Sequence, residues 1–391
     1  MDIKHLAKLG IKSIIRICLC VFWILPIKRN RIVFESFIGK QINCNPYYIY
    51  KRLKQSKEKY EFIWVVRKET PKPQDMENVE YVVFNSFAYV IALLTARVII
   101  SNAGLPFYVP FRKKQILIDT WHGGGAYKRI GSQENNYKRD FCRMVTTKRE
   151  AKNTTYFLSS SKMFTSFMAE SNFVIKSKYL PFGMPRNDIF FDKKKCNQIN
   201  QTIRNQFNID LDAFVVLFAP TFRGAANNAV FDCDLDVNLL KNSCQKRFQR
   251  ETKVFFRGHH TFNNKFHFSD FDFDVSKYND MQELLCMADM LITDYSSSMW
   301  DFSFTKKPCF LFTPDIDLFL QNRGFYTSPE TWGFPIAKTN NELSEKIINF
   351  DEKSFAQSMD MHHINLGNYE NGKATEKVCN LITECIQEIK E

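Results

Sequence analysis

Short apolar runs recur along the chain, most of them bounded by glycine, proline, asparagine or serine. In the first half they begin at Ile32, Phe62, Tyr81, Val98, Ile116 and Tyr156. In the second half they begin at Phe214, Val254, Phe271, Met290 and Cys309. Runs this short, rich in β-branched and aromatic residues, predict buried strands. Helices are expected over residues 87–96 and 281–288, from Tyr47 onward, and through most of the chain after Gly324. Strands alternating with helices at this pitch predict an α/β fold with parallel sheets. A chain of 391 residues has room for two domains, each with its own core. The polar, lysine-rich stretch 192–212 places the boundary near residue 205, giving domains 28–205 and 206–391.

Residues 1–27 stand apart. Lys4, Lys8, Lys12 and Arg16 recur every four residues, a basic stripe on a helix, while Ile3, Leu6, Ala7, Ile11, Ile14 and Ile15 lie mostly off it. The apolar run 17–25 is shorter than the roughly 20 residues needed to cross a bilayer. It also lacks a small-residue cleavage site. The pattern predicts an amphipathic helix lying on the anionic, cytoplasmic face of a membrane; a helix packed on the protein's own core is the competing reading. The net charge of +12 favours anionic partners, and no RNA-recognition, zinc-finger or basic-zipper signature accompanies it, so nucleic acid is not expected. Eleven cysteines, without a C-x-x-C pair, point to free thiols in a reducing compartment.

Two stretches carry candidate chemistry. In 290–304 an apolar run stops at Thr293 and Asp294, then Ser296, Ser297 and Ser298 precede Met299, Trp300, Phe302 and Phe304 at helical spacing. This predicts strand, turn and helix, with Asp294 or a serine as N-cap. A helix N-terminus with added hydroxyls can cradle a phosphate. In 116–131 a strand ends at Asp119 or Thr120, followed by Trp121, His122, three glycines, Lys128 and Arg129. Ligands of open α/β sheets bind beyond the carboxyl ends of strands, and glycine allows close approach of backbone to ligand. His122 is therefore a candidate base. The glycines form neither a P-loop nor a dinucleotide fingerprint, which argues against a Walker-type ATPase. The acidic alternations Asp232, Asp234, Asp236 and Asp270, Asp272, Asp274 have the look of a metal clamp, but such strings are common on strand edges, and no metal site is expected.

Seven motifs in order resemble the CDP-glycerol glycerophosphotransferase family, the teichoic-acid primases and polymerases and their capsule relatives. They are Thr-Trp-His-Gly (120–123) with Lys128, Gly-Met-Pro-Arg-Asn-Asp (183–188), Ala-Pro-Thr-Phe-Arg (219–223), Arg-Gly-His (257–259), Thr-Asp-Tyr-Ser-Ser (293–297) with Asp301, Arg-Gly-Phe-Tyr (323–326), and Asn-Tyr-Glu-Asn-Gly-Lys-Ala (368–374). The resemblance runs from about Ile24 to the C-terminus. It implies a GT-B fold, two Rossmann-like domains facing a cleft, with an acceptor domain first and a CDP-donor domain second. It implies transfer, without metal or cofactor, of glycerol or ribitol phosphate from CDP-glycerol or CDP-ribitol to a lipid-linked or polymer acceptor, releasing CMP, in the EC 2.7.8 class. His122 matches the family's base and His259 its second essential histidine. Gly123, Lys128, Pro185, Arg186, Thr221, Arg223, Arg257, Thr293, Asp294, Ser296, Ser297, Asp301 and Arg323 are the implied substrate-binding residues. The family has Gly-Thr-Pro after the first histidine, whereas this chain has Gly-Gly-Gly-Ala, a departure that bears on the acceptor.

Two other classes compete. A GT-B glycosyltransferase using a nucleotide sugar would more often place a glutamate near the ribose. A non-catalytic protein of the membrane surface or of nucleic acid would bind through its charge alone, with steep salt dependence and no need of His122.

Overall fold

The computed structural model describes residues 3–73, 76–135, 141–221, 235–258 and 270–387. Two sheets, each wholly parallel, organise the chain. The first contains β1 (Lys28–Glu35), β2 (Glu61–Val66), β3 (Val79–Val83), β4 (Ala96–Ser101), β5 (Ile116–Asp119), β6 (Tyr156–Leu158) and β7 (Tyr179–Leu180), in the order β3-β2-β1-β4-β5-β6-β7. The second contains β8 (Phe214–Phe218), β9 (Thr252–Phe256), β10 (Phe273–Asp274), β11 (Met290–Thr293), β12 (Cys309–Phe312) and β13 (Ile336–Ala337), in the order β10-β9-β8-β11-β12-β13. The α/β fold with two parallel sheets is as the sequence predicts. Covered on both faces, a central strand must be apolar throughout. In β1, Ile32 and Phe34 enter a core with Tyr47 and Ile49, while Val33 points the other way, to Tyr89 and Leu93.

Each sheet has a switch point where the strand order reverses, between β1 and β4 in the first and between β8 and β11 in the second. Chains leaving neighbouring strands part there and leave a crevice at the carboxyl ends. The second-domain half of the cleft described below sits on its switch point, after β8 and β11, and the first-domain half follows β5, the neighbour of β4.

The helices do not sort by a linear division at residue 205. Helix Lys193–Gln206, in the stretch assigned to the boundary, packs on the second sheet: Ile203 joins that core and Arg204 pairs with Asp289 at 2.7 Å. Helix Ala374–Gln387 returns to the first sheet, where Val378, Cys379 and Ile382 complete its core and Arg97 donates to the Cys385 carbonyl. The chain thus crosses between the sheets twice, because each of these helices finds its matching apolar face on the sheet it did not follow locally.

The N-terminal helix Ile3–Leu19, extended by a 3-10 turn Cys20–Ile24, lies along the first domain. The C-terminal part of its basic stripe turns inward. Lys12 and Arg16 are half-buried, and Arg16 donates to the carbonyls of Phe107 (2.6 Å) and Val109 (2.7 Å). The apolar side turns out, with Ile14 63%, Ile17 72% and Ile24 83% exposed. Among the described residues no helix is long and apolar enough to cross a membrane.

Candidate active site

A cleft of about 1280 Å³ opens between the two domains. The first domain lines it with residues 121–128, which follow β5, and with Arg143, Phe164 and Met168; the second contributes Thr221 after β8, Tyr295 to Ser297 after β11, and Asp315, Phe319, Arg323 and Tyr326.

His122 sits at the centre of the first wall. Asn45 shapes the turn that carries it, donating to the carbonyls of Thr120 and Trp121 at 3.0 Å. Trp121 itself takes a positive φ of 51°. The imidazole stacks on Trp121 (4.6 Å between ring centroids) and meets Phe37 edge-on. Its Nδ1 lies 2.7 Å from the Asn102 carbonyl, at the end of β4. A carbonyl can only accept, so Nδ1 carries the proton and Nε2 keeps its lone pair. Burial pulls the imidazole down to about pKa 4; the Asn102 contact opposes this, and the cations of Arg186, Lys128 and Arg323 reinforce it. At neutral pH His122 is an unprotonated base.

All three glycines line the cleft, and two of them also admit the second domain. A Cβ on Gly123 would lie 2.7 Å from Ser297 Oγ, and one on Gly124 only 2.0 Å from Trp300 Cδ1. The loop that carries His122 is thereby laid directly against the helix Ser298–Ser303.

On the opposite wall the predicted strand and helix are present, but Asp294 does not cap the helix. Its carboxylate accepts from the backbone N–H of Thr221 (3.0 Å), from Thr221 Oγ1 (2.5 Å) and from Tyr295 N (2.5 Å), tying the loops after β8 and β11 together. Ser297 holds the N-cap position with no side-chain cap bond. The hydroxyl-bearing residues Thr221, Ser296 and Ser297 all line the cleft. Thr293 is buried and donates to the Ala219 carbonyl (2.7 Å), bracing the same two loops from beneath.

Of the residues singled out from the sequence, His122, Gly123, Lys128, Thr221, Ser296, Ser297 and Arg323 line the cleft. Pro185, Arg186 and Asp301 do not. Arg186 pairs with Asp301 at 2.6 Å, both side chains buried, and donates to the His122 carbonyl at 2.9 Å. This brace joins the second domain to the backbone that carries His122. Arg257 also turns away, donating to the Tyr278 carbonyl (2.8 Å), and burial lowers its pKa to about 10. Arg223 and His259 lie outside the described residues, as do Asp232 and Asp234. Asp236 caps helix Val237–Phe248, Asp272 pairs with Lys241 (2.9 Å), and Asp274 accepts from Ser276 N (2.9 Å); these are structural contacts, not a clamp. No group of three or more residues able to hold a metal occurs among the described residues.

Sequence reasoning missed Asn102, which orients His122, and Asn45, which shapes its turn. It also gave no role to Glu370. That buried carboxyl accepts from Met184 N (2.8 Å), Asn187 Nδ2 (3.1 Å) and Trp300 Nε1 (3.2 Å), a second link between the domains.

The model of a family described as CDP-Glycerol:Poly(glycerophosphate) glycerophosphotransferase matches residues 17–384. The chain belongs to this glycerophosphotransferase family. Among its relatives, the teichoic acid poly(glycerol phosphate) polymerase of Bacillus subtilis (strain 168) is 31% identical over 404 residues, 97% of this chain and 52% of that protein. The chain therefore spans about half the length of that polymerase. The teichoic acid glycerol-phosphate transferase of Staphylococcus aureus (strain NCTC 8325) is 28% identical, with 90% of this chain and 93% of that protein covered. A solved structure of the wall teichoic acid polymerase TagF, a histidine-to-asparagine variant soaked with CDPG, superposes with a TM-score of 0.83 at 28% identity, covering 99% of this chain and 97% of that one. The glycerophosphotransferase fold thus extends over both sheets and the cleft.

Proposed function

We propose that the protein transfers glycerol phosphate, or ribitol phosphate, from a CDP-activated donor to a hydroxyl of a lipid-linked or polymer acceptor, releasing CMP in teichoic-acid or capsule synthesis. The observation that carries this is a neutral histidine, with its Nε2 lone pair free of the Asn102 contact, in a cleft faced by hydroxyls and cations. The acceptor O–H gives its proton to His122 Nε2, the oxygen forms a bond to the donor's polyol-bearing phosphorus, and the P–O bond to CMP breaks. A positioned base contributes about 10²- to 10⁴-fold to such a step. Charge that develops on the phosphoryl oxygens and on departing CMP is met by Thr221, Ser296, Ser297, Lys128 and Arg323. Arg223 and His259 complete the donor side by their place in the family motifs. Arg186 and Asp301 position the catalytic loop rather than touch the substrate. The reaction needs no metal, since cations of the protein supply the counter-charge.

The N-terminal helix holds the enzyme peripherally on the cytoplasmic face of the membrane. Its exposed isoleucines support this, because a helix that turns its apolar side outward calls for an apolar cover. Arg143 lines the cleft and also a smaller cavity beside Lys8 and Lys12 of that helix, so one wall of the cleft lies close to the helix.

The test is CMP release from CDP-glycerol and, separately, CDP-ribitol, with and without lipid-linked acceptor. Acceptor-dependent CMP from one donor is expected, and His122→Ala should lower its rate by about 10²- to 10⁴-fold. Turnover undiminished in His122→Ala, or CMP from neither donor with UDP-sugar turnover in its place, would sink the proposal.

A further inference from the structure

At the far end of the first sheet from the cleft lies a second cavity, of about 670 Å³. It opens where β5, β6 and β7 begin, whereas His122 lies beyond the end of β5. Arg16, Arg112, Lys113, Arg149, Lys152 and Lys178 line it, and none of its lining residues is an aspartate or glutamate. Three of the six cations are held by backbone carbonyls instead of counter-ions. Arg16 binds Phe107 and Val109; Arg112 binds Leu25 (2.8 Å) and Leu94 (2.5 Å); Lys178 binds Ala151 (3.3 Å), Lys152 and Thr154. Carbonyls fix these side chains but leave their net charge uncompensated. The Nε of Arg112 is buried with no hydrogen-bond partner. Burial lowers the pKa of Arg16, and proximity to Arg149 lowers it further. A pre-ordered cluster of like charge, with no carboxylate to answer it, is built for an anion.

We propose that this cavity binds the phosphate of an anionic lipid headgroup. The reason for a lipid rather than a soluble phosphate is the wall. Ser13, Arg16 and Ile17 of the N-terminal helix form part of it, and Ile17 is 72% exposed on that same helix. Where the isoleucines enter the acyl region, the helix places the cavity at headgroup depth. Arg112 and Lys113 also line an adjoining cavity with Arg29 and Lys114, which extends the basic surface along the same edge. The inference rests on the peripheral membrane reading above, and it adds a discrete site to what would otherwise be diffuse attraction.

The side chains of Lys113 and Lys152 are exposed, and neither side chain makes a hydrogen bond or ion pair among the described residues, so replacing them leaves the fold intact. Lys113→Gln with Lys152→Gln is to be compared with Lys193→Gln with Lys194→Gln, an exposed pair of equal charge on the second domain. Binding would be measured to phosphatidylcholine vesicles with and without phosphatidylglycerol. Titrations with water-soluble short-chain phosphatidylglycerol, glycerol phosphate and inorganic phosphate would accompany it. The cavity pair should weaken binding to the anionic vesicles by on the order of tenfold or more, and the control pair by much less. Short-chain lipid should bind saturably to the parent and not to the cavity variant. Equal losses from both pairs would overturn the site in favour of general charge. Inorganic phosphate or glycerol phosphate binding as tightly as the lipid would overturn the lipid assignment. If the parent ignores vesicles altogether, the peripheral reading fails, and the short-chain titration still decides the cavity.

Discussion

An imidazole in water is half protonated near pH 6.5, and every protonated copy is lost as a base. Burial of His122 to about pKa 4 removes that loss at neutral pH, while the Asn102 carbonyl decides which nitrogen faces outward. His122 could be found from the sequence, because a histidine just past a strand and beside three glycines has a local signature. Asn102 and Glu370 could not. One acts through its backbone carbonyl, and the other meets partners almost two hundred residues away in the chain. Glu370 also gives a prediction of its own. Three N–H donors favour its carboxylate, but burial opposes them and prevails, raising the group to about pKa 8. The native state then holds a proton that the unfolded chain releases above about pH 4.5. The group's contribution is complete below that value and is lost as pH rises through 8, a change on the order of a few kcal/mol. Thermal denaturation across this window should show a flatter pH dependence for Glu370→Gln than for the parent. Parallel curves would mean that Glu370 is ionised in the fold.

At the scale of elements, most strands were legible because a parallel sheet covered on both faces demands apolar runs, while the two-residue β7 and β13 were too short to leave one. The helices were harder. Phe141–Asn153 and Lys193–Gln206 are rich in lysine, arginine, asparagine and glutamine, so they carry few of the apolar residues by which a helix is read from sequence. The helix Ser298–Ser303 was expected, but its meeting with the glycine loop was not, since the two are far apart in sequence. That contact is sharp enough to test. Gly124→Ala puts a methyl 2.0 Å from Trp300 Cδ1, and Trp300 is buried and bonded to Glu370, so it has little room to give. Overpacking of this kind costs about 1–3 kcal/mol, and here it should also shift the loop that carries His122 and lower turnover. A double-mutant cycle with Trp300→Ala reads the coupling directly; additive effects would place the strain elsewhere.

For the whole molecule, the proposed function raises the question of how the cleft would reach an acceptor anchored in lipid. The helix Ile3–Leu19 runs from Lys8 and Lys12, beside the cleft-lining Arg143, to Arg16 by the cavity at the opposite end of the sheet. A helix lying flat along that line would hold the cleft close to the membrane surface without entering the core. The amphipathic pattern was visible in the sequence, but not that Arg16 of the basic stripe faces the protein, because its orientation depends on the carbonyls of Phe107 and Val109. Ile14 and Ile17 touch water in the free protein, so Ile14→Ser with Ile17→Ser should leave the fold and the soluble-acceptor reaction unchanged. Each isoleucine side chain fully buried in lipid is worth about 1.5–3 kcal/mol, so even partial insertion gives roughly tenfold or more in vesicle binding for the pair. The expected result is therefore a split. Turnover of a water-soluble acceptor analogue persists, while turnover of a lipid-linked acceptor in vesicles falls in step with binding. Loss of both reactions together would mean that the helix supports the catalytic domain itself, and retention of both would mean that the acceptor reaches the cleft without help from the membrane.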